Sequence, residues 1–132
     1  MTYYFRRTLE LPFDEAVAAT RAALKEEGFG VITEIDVRET MKAKLGEDFR
    51  PYLILGACNP RMAFEALKLE DKVGVMLPCN VVVQDAGGGR TEVAAIDPAA
   101  SMMAIPNAAL KEKAAEVGAK LKAALDRLSP QV

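Results

Sequence analysis

Histidine is absent from all 132 residues and cysteine occurs only twice. Without histidine there is no Ser-His-Asp or Cys-His catalytic pair, no histidine general base and no mixed Cys/His zinc site. The two cysteines, Cys58 and Cys79, are 21 positions apart, a spacing that matches no zinc pattern. In a cytoplasmic chain such a pair is expected as thiols rather than as a structural disulfide. Charge of one sign is also lacking, with 17 Lys and Arg against 19 Asp and Glu and a net charge of -2. The cations are scattered rather than gathered into a stripe, so nucleic acid is not an expected partner, because that binding needs clustered cations to neutralise phosphates. Long apolar runs are missing too: Val73 to Val83 is interrupted by Gly74, Pro78 and Asn80 and falls well short of the roughly 20 residues that span a bilayer. No membrane segment is expected. The N-terminus puts Arg6 and Arg7 after its apolar residues, with no apolar run following, so no signal peptide is read and the expected location is cytoplasmic.

What remains is 51% hydrophobic and 27% charged, an ordinary globular balance. With no linker and no repeat, a single domain over 1–132 is expected, large enough to hold a core without disulfides or a metal.

The pattern along the chain predicts a strand over Thr2–Leu9, then a helix opened by Pro12 and closed by Gly28, with Phe13, Val17, Thr20 and Leu24 on one face. Phe29, Val31, Thr33, Ile35 and Val37 alternate with Gly30, Ile32, Glu34 and Asp36 as in a strand with one buried face, which puts Glu34 and Asp36 together on the outer face. Asp36 and Glu39 resemble a capping box for a short helix through Met41 to Leu45, closed by Gly46. Tyr52–Ala57 reads as a buried strand, and Asn59-Pro60 as the start of a helix reaching Leu69. Val73–Leu77 fits either a strand or a tight turn. Val81–Val83 and Thr91–Ile96 form a hairpin through Gly87-Gly88-Gly89, since glycine supplies the positive φ of tight turns. Asn107 caps a long helix with Leu110, Ala114, Val117, Leu121 and Leu128 on its apolar face. The expected fold class is α+β, a curved antiparallel sheet with helices packed on one face, a long C-terminal helix and short inserted helices.

The unusual feature is the pair of strings Cys58-Asn59-Pro60 and Pro78-Cys79-Asn80, each at the end of a strand. If the two strands run antiparallel, both cysteines fall at one edge of the sheet, and the helix N-terminus at Pro60 lies beside Cys58, where its N–H groups and dipole would lower a thiol pKa and could hold an anion. The ordinary alternative is that the cysteines are small buried hydrophobes and the asparagines a cap and a turn residue. Glu34 and Asp36 are too few for a hard cation. The glycine run lacks the Lys-Ser/Thr and following helix of a phosphate loop. Six methionines and two thiols would suit a soft metal such as Cu(I), although core filling is methionine's usual role, and neither a metal nor a cofactor is expected. Arg50, before Pro51, could anchor a carboxylate or stand exposed in its loop.

Gly28–Val37, Phe49-Arg50-Pro51-Tyr52, Leu55-Gly56-Ala57-Cys58-Asn59-Pro60, Leu77–Val83 and Ala95-Ile96-Asp97-Pro98 together resemble the family called domain of unknown function 302. The resemblance runs along nearly the whole chain. It implies a TATA-binding-protein-like architecture, with a long helix across a curved antiparallel sheet, and a homodimer. It carries no activity and no DNA binding, because fold does not carry function and this chain has no basic face. Three readings follow. One is a small-ligand-binding module with a pocket between sheet and terminal helix, in which Asn59 and Asn80 donate hydrogen bonds, Cys58 and Cys79 make soft contacts and Arg50 anchors an anionic group. The second is a thiol-dependent redox or sulfur-handling protein. The third is a structural or interaction homodimer, and no enzyme class is assigned.

Overall fold

The computed structural model describes residues 2–128. Alternating burial sets the middle of the molecule: Cys79, Val81 and Val83 of β4 (Cys79–Gly87) and Thr91, Val93 and Ala95 of β5 (Arg90–Ile96) are buried, while the residues between them are not. Period-two burial of this kind belongs to strands covered on one face. β4 and β5 form the expected hairpin, with Gly87, Gly88 and Gly89 all at positive φ. β1 (Tyr4–Leu9) pairs with β5, β3 (Tyr52–Cys58) with β4, and β2 (Gly30–Asp36) with β3, all antiparallel, giving the open order β1-β5-β4-β3-β2.

The helix α1 (Phe13–Glu26) and the long α5 (Ala108–Asp126) pack against each other and the same sheet face, so the expected α+β layering holds. Leu24 of α1, Leu121 and Leu125 of α5, and Leu55, Val81 and Val93 of the sheet form the main core. Arg7 reaches from β1 to the end of α5, donating from Nε to the Leu125 carbonyl at 3.3 Å and pairing with Asp126. A cation is well placed at a helix C-terminus, and the Arg7 guanidinium holds the Asp126 carboxyl below the usual carboxylate range. Among the described residues the buried threonine hydroxyls are satisfied: Thr20 donates to the Ala16 carbonyl at 2.7 Å and Thr91 to that of Leu11 at 2.9 Å.

Three segments differ from the pattern. In β2 the register shifts between Val31 and Thr33. This one-residue bulge turns Thr33 and Ile35 onto the uncovered face opposite Gly56 and Ile54, and leaves Ile35 50% exposed. Glu34 swings to the helix side instead, where Arg21 of α1 donates to it at 2.7 Å. A single slip in register moves every later side chain to the other face, which is why simple alternation fails here. Asp36 does cap α2 (Val37–Leu45), accepting from the Glu39 N–H at 2.9 Å. Second, Val73–Met76 is a 3₁₀ turn that buries Val73 and exposes the rest. Third, Asp97 does more than end β5: its side chain caps a short α4 (Pro98–Ser101) that carries Met102 into the interior.

Gly56, central in β3, is a close approach. A Cβ there would overlap Thr33 Oγ1 and come within 2.7 Å of Pro78 Cγ. Gly56→Ala is therefore expected to cost about 1–3 kcal/mol, the usual penalty of overpacking, in urea denaturation. Gly74→Ala meets nothing within 4 Å and should stay within about 0.5 kcal/mol; equal stabilities of the two variants would contradict the close approach.

Candidate functional site

β3 ends at Cys58 and β4 begins at Cys79, and the antiparallel register sets Ala57 opposite Cys79. The two motifs thus meet at one end of the adjacent inner strands β3 and β4, as their strand positions imply. Asn59 is the N-cap of α3 (Pro60–Leu69), its Oδ1 accepting from the Met62 N–H at 3.3 Å, with Pro60 in the first turn where no N–H is needed. α3 packs against α5, and between them and the strand ends lies a cavity of about 330 Å³. This is at the small end of the range of ligand pockets.

The cavity lies at a seam. On one side is the main core, contributing Phe29, Ala57 and Cys79; on the other is a smaller cluster, contributing Ala66, Met102, Leu110 and Ala114. Ala57, Ala63, Ala66 and Ala114 line the gap with methyl groups that do not fill it. Apart from Asn59 at the cap and Lys113 of α5, the lining side chains are carbon and sulfur. The Lys113 ammonium donates to Glu65 of α3 at 3.2 Å and to Glu116 at 3.3 Å. Those contacts, Glu65 first, hold it above lysine's usual pKa.

The structure gathers Cys58, Asn59 and Cys79 around this space, and leaves Asn80 and Arg50 outside it. Asn80 lies one residue further along β4, on the opposite face, in a shallow groove with Tyr4, Tyr52 and Gln84. Arg50 precedes the other end of β3, about 20 Å of strand from Cys58. Its guanidinium lies 4.4 Å from the centre of the Phe49 ring and 5.5 Å from that of Tyr52, and its Nε donates to Gln84 at 2.9 Å. It anchors nothing in the cavity. Met62, Met102 and Lys113 were missed by sequence reasoning. For Lys113 a signal existed: it stands three residues after Leu110, on the flank of the apolar face of α5.

Cys79 does not adjoin the helix N-terminus, and its thiol pKa is raised. Burial, and then the neighbouring Cys58, push this thiol up to about 11. Cys79 is 7% exposed and faces the core, so desolvation of the thiolate prevails. Cys58 is half-buried, and both cysteines are free.

The family described as Domain of unknown function DUF302 matches residues 5–128. This chain belongs to the DUF302 family. Among solved structures, the DUF302 chain is similar to the crystal structure of an uncharacterized conserved protein DUF302 from Bacillus stearothermophilus. The two share 33% identity over 98% of this chain and 100% of the other, with a TM-score of 0.89. No curated protein matches the DUF302 chain. Among its described residues no helix is long and apolar enough to cross a membrane.

A raised thiol pKa has a consequence for stability. The folded state keeps the Cys79 proton to higher pH than the unfolded chain, so this contribution is complete below the ordinary thiol pKa of 9.0 and is lost as pH rises through about 11. The full shift corresponds to about 3 kcal/mol. Urea unfolding between pH 8.5 and pH 11 should show a shallower loss of stability in Cys79→Ala than in the parent; parallel slopes would contradict the burial assignment.

Proposed function

We propose that this domain binds a small, uncharged, apolar molecule in the cavity between α3, α5 and the ends of β3 and β4. The observation that carries the reading is the lining itself: methyl, methylene, thiol and thioether groups, with one ammonium already held by two carboxylates. Apolar surface removed from water supplies the affinity, and Asn59 and the two thiols can offer only weak orientation. An anionic ligand is disfavoured. The charges at Lys113, Glu65 and Glu116 sum to an excess of one negative charge, and Arg50 lies at the far end of the strand. The thiol-dependent reading has less support, because a nucleophile must be a thiolate and Cys79 keeps its proton. A homodimer and a cytoplasmic setting, both expected from the sequence, stay with this proposal as its context.

The neutral fluorescent probe N-phenyl-1-naphthylamine should bind the parent protein and brighten on entering the cavity. Ala114→Leu puts extra carbon into the empty space and should weaken the probe at least about tenfold, without loss of thermal stability, because cavities cost stability rather than supply it. Should Ala114→Leu fail to fold, Ala63→Leu tests the same wall. Arg50→Ala should bind as the parent does. Unchanged probe binding in a folded cavity-filling variant would refute the assignment.

A further inference from the structure

The cavity also collects sulfur. The chain's two cysteines and two of its six methionines, Met62 and Met102, all line it. They arrive from four places: Cys58 at the end of β3, Cys79 at the start of β4, Met62 in the first turn of α3, and Met102 just after α4. The register sets Cys79 opposite Ala57, the residue next to Cys58 in the chain. Sulfur is also nearly the whole donor set, since the other lining residues offer only the Asn59 amide, whose oxygen is engaged in capping, and the Lys113 ammonium, which cannot ligate while charged. Hard cations such as calcium and magnesium, which take oxygen ligands, have nothing to hold them here.

We propose that this cavity binds a soft monovalent cation, Cu(I), through the thiolates of Cys58 and Cys79 and the thioether sulfurs of Met62 and Met102. Thiolates suit both Cu(I) and zinc, and the two thioethers tip the set toward the softer Cu(I). Binding exchanges bonds without redox change: each cysteine S–H breaks, its proton passes to solvent, an S–Cu bond forms, and copper stays in the +1 state. Glu65 and Glu116 outnumber Lys113, the charged residue of the lining with which both pair, so the local field favours a cation over an anion. This site goes beyond the apolar-ligand proposal and is independent of it, for it needs the four sulfur atoms and not the empty volume.

The reduced, anaerobic protein is titrated against the coloured bicinchoninate complex of Cu(I), with zinc in a parallel titration. One Cu(I) per chain should be withdrawn from the chelator. Cys58→Ser and Cys79→Ser should lose this competition, and Met62→Leu/Met102→Leu should weaken it while keeping the parent circular dichroism. If a serine variant does not fold, the volume-conserving methionine variant carries the test. Cys58→Ser should still take up N-phenyl-1-naphthylamine, which separates failure of the metal site from failure of the cavity. No withdrawal of Cu(I), zinc bound as tightly as Cu(I), or a methionine variant identical to the parent would each overturn the proposal.

Discussion

Small side chains at the seam between two apolar clusters are the constraint on which the site depends. Ala57, Ala66 and Ala114 are buried, yet each stops at a single methyl group where leucine occupies comparable positions deeper in the core. Protein interiors ordinarily close to the density of an organic crystal. Here the main core, stitched by leucines and valines between α1, α5 and the sheet, and the smaller cluster of Val73, Met102 and Leu110 do not fuse. The long α5 belongs to both, with Leu121 and Leu125 in one and Leu110 and Ala114 in the other, and so holds the gap open while remaining a single rigid element.

That arrangement explains why the two cysteine strings look alike yet behave differently. Both terminate adjacent inner strands at the same end, but Cys79 takes the inward position of the β4 alternation, shared with Val81 and Val83, whereas Cys58 ends β3 half-exposed beside the α3 cap. Desolvation is a short-range, one-sided penalty on the thiolate, and it outweighs a helix terminus that Cys79 does not adjoin. The same apolar wall that keeps the thiol protonated is what the proposal of an uncharged ligand rests on.

Much of the fold was legible because local chemistry and tertiary packing agree. Asn59-Pro60, Asp36 with Glu39, Asn107 and the triple glycine each act locally, and each does what its residue type dictates. The β2 faces were not legible, because the bulge at Ile32 is a property of the pairing with β3 and leaves no mark in an alternating strand. The Val73–Met76 turn was undecidable for a related reason, since Val73 alone of its four residues is buried. For the site, strand positions sufficed to bring Cys58 and Cys79 together, but parity along β4 separates Asn80 from Cys79, and strand length separates Arg50 from both. Met62 and Met102 converge only through the placement of α3 and α4, which no short-range pattern records.

Membership of the DUF302 family identifies the scaffold and leaves the chemistry to the side chains, because fold and function are separable. The central claim is therefore about space: a preformed apolar cavity at the cysteine end of β3 and β4. Apolar cavities admit xenon. A crystal of the protein pressurised with xenon should show the gas seated against Met62, Ala66 and Ala114, with the surrounding chain unmoved. A crystal in which the Met62 or Met102 side chain fills that volume, and no xenon enters, would contradict the account.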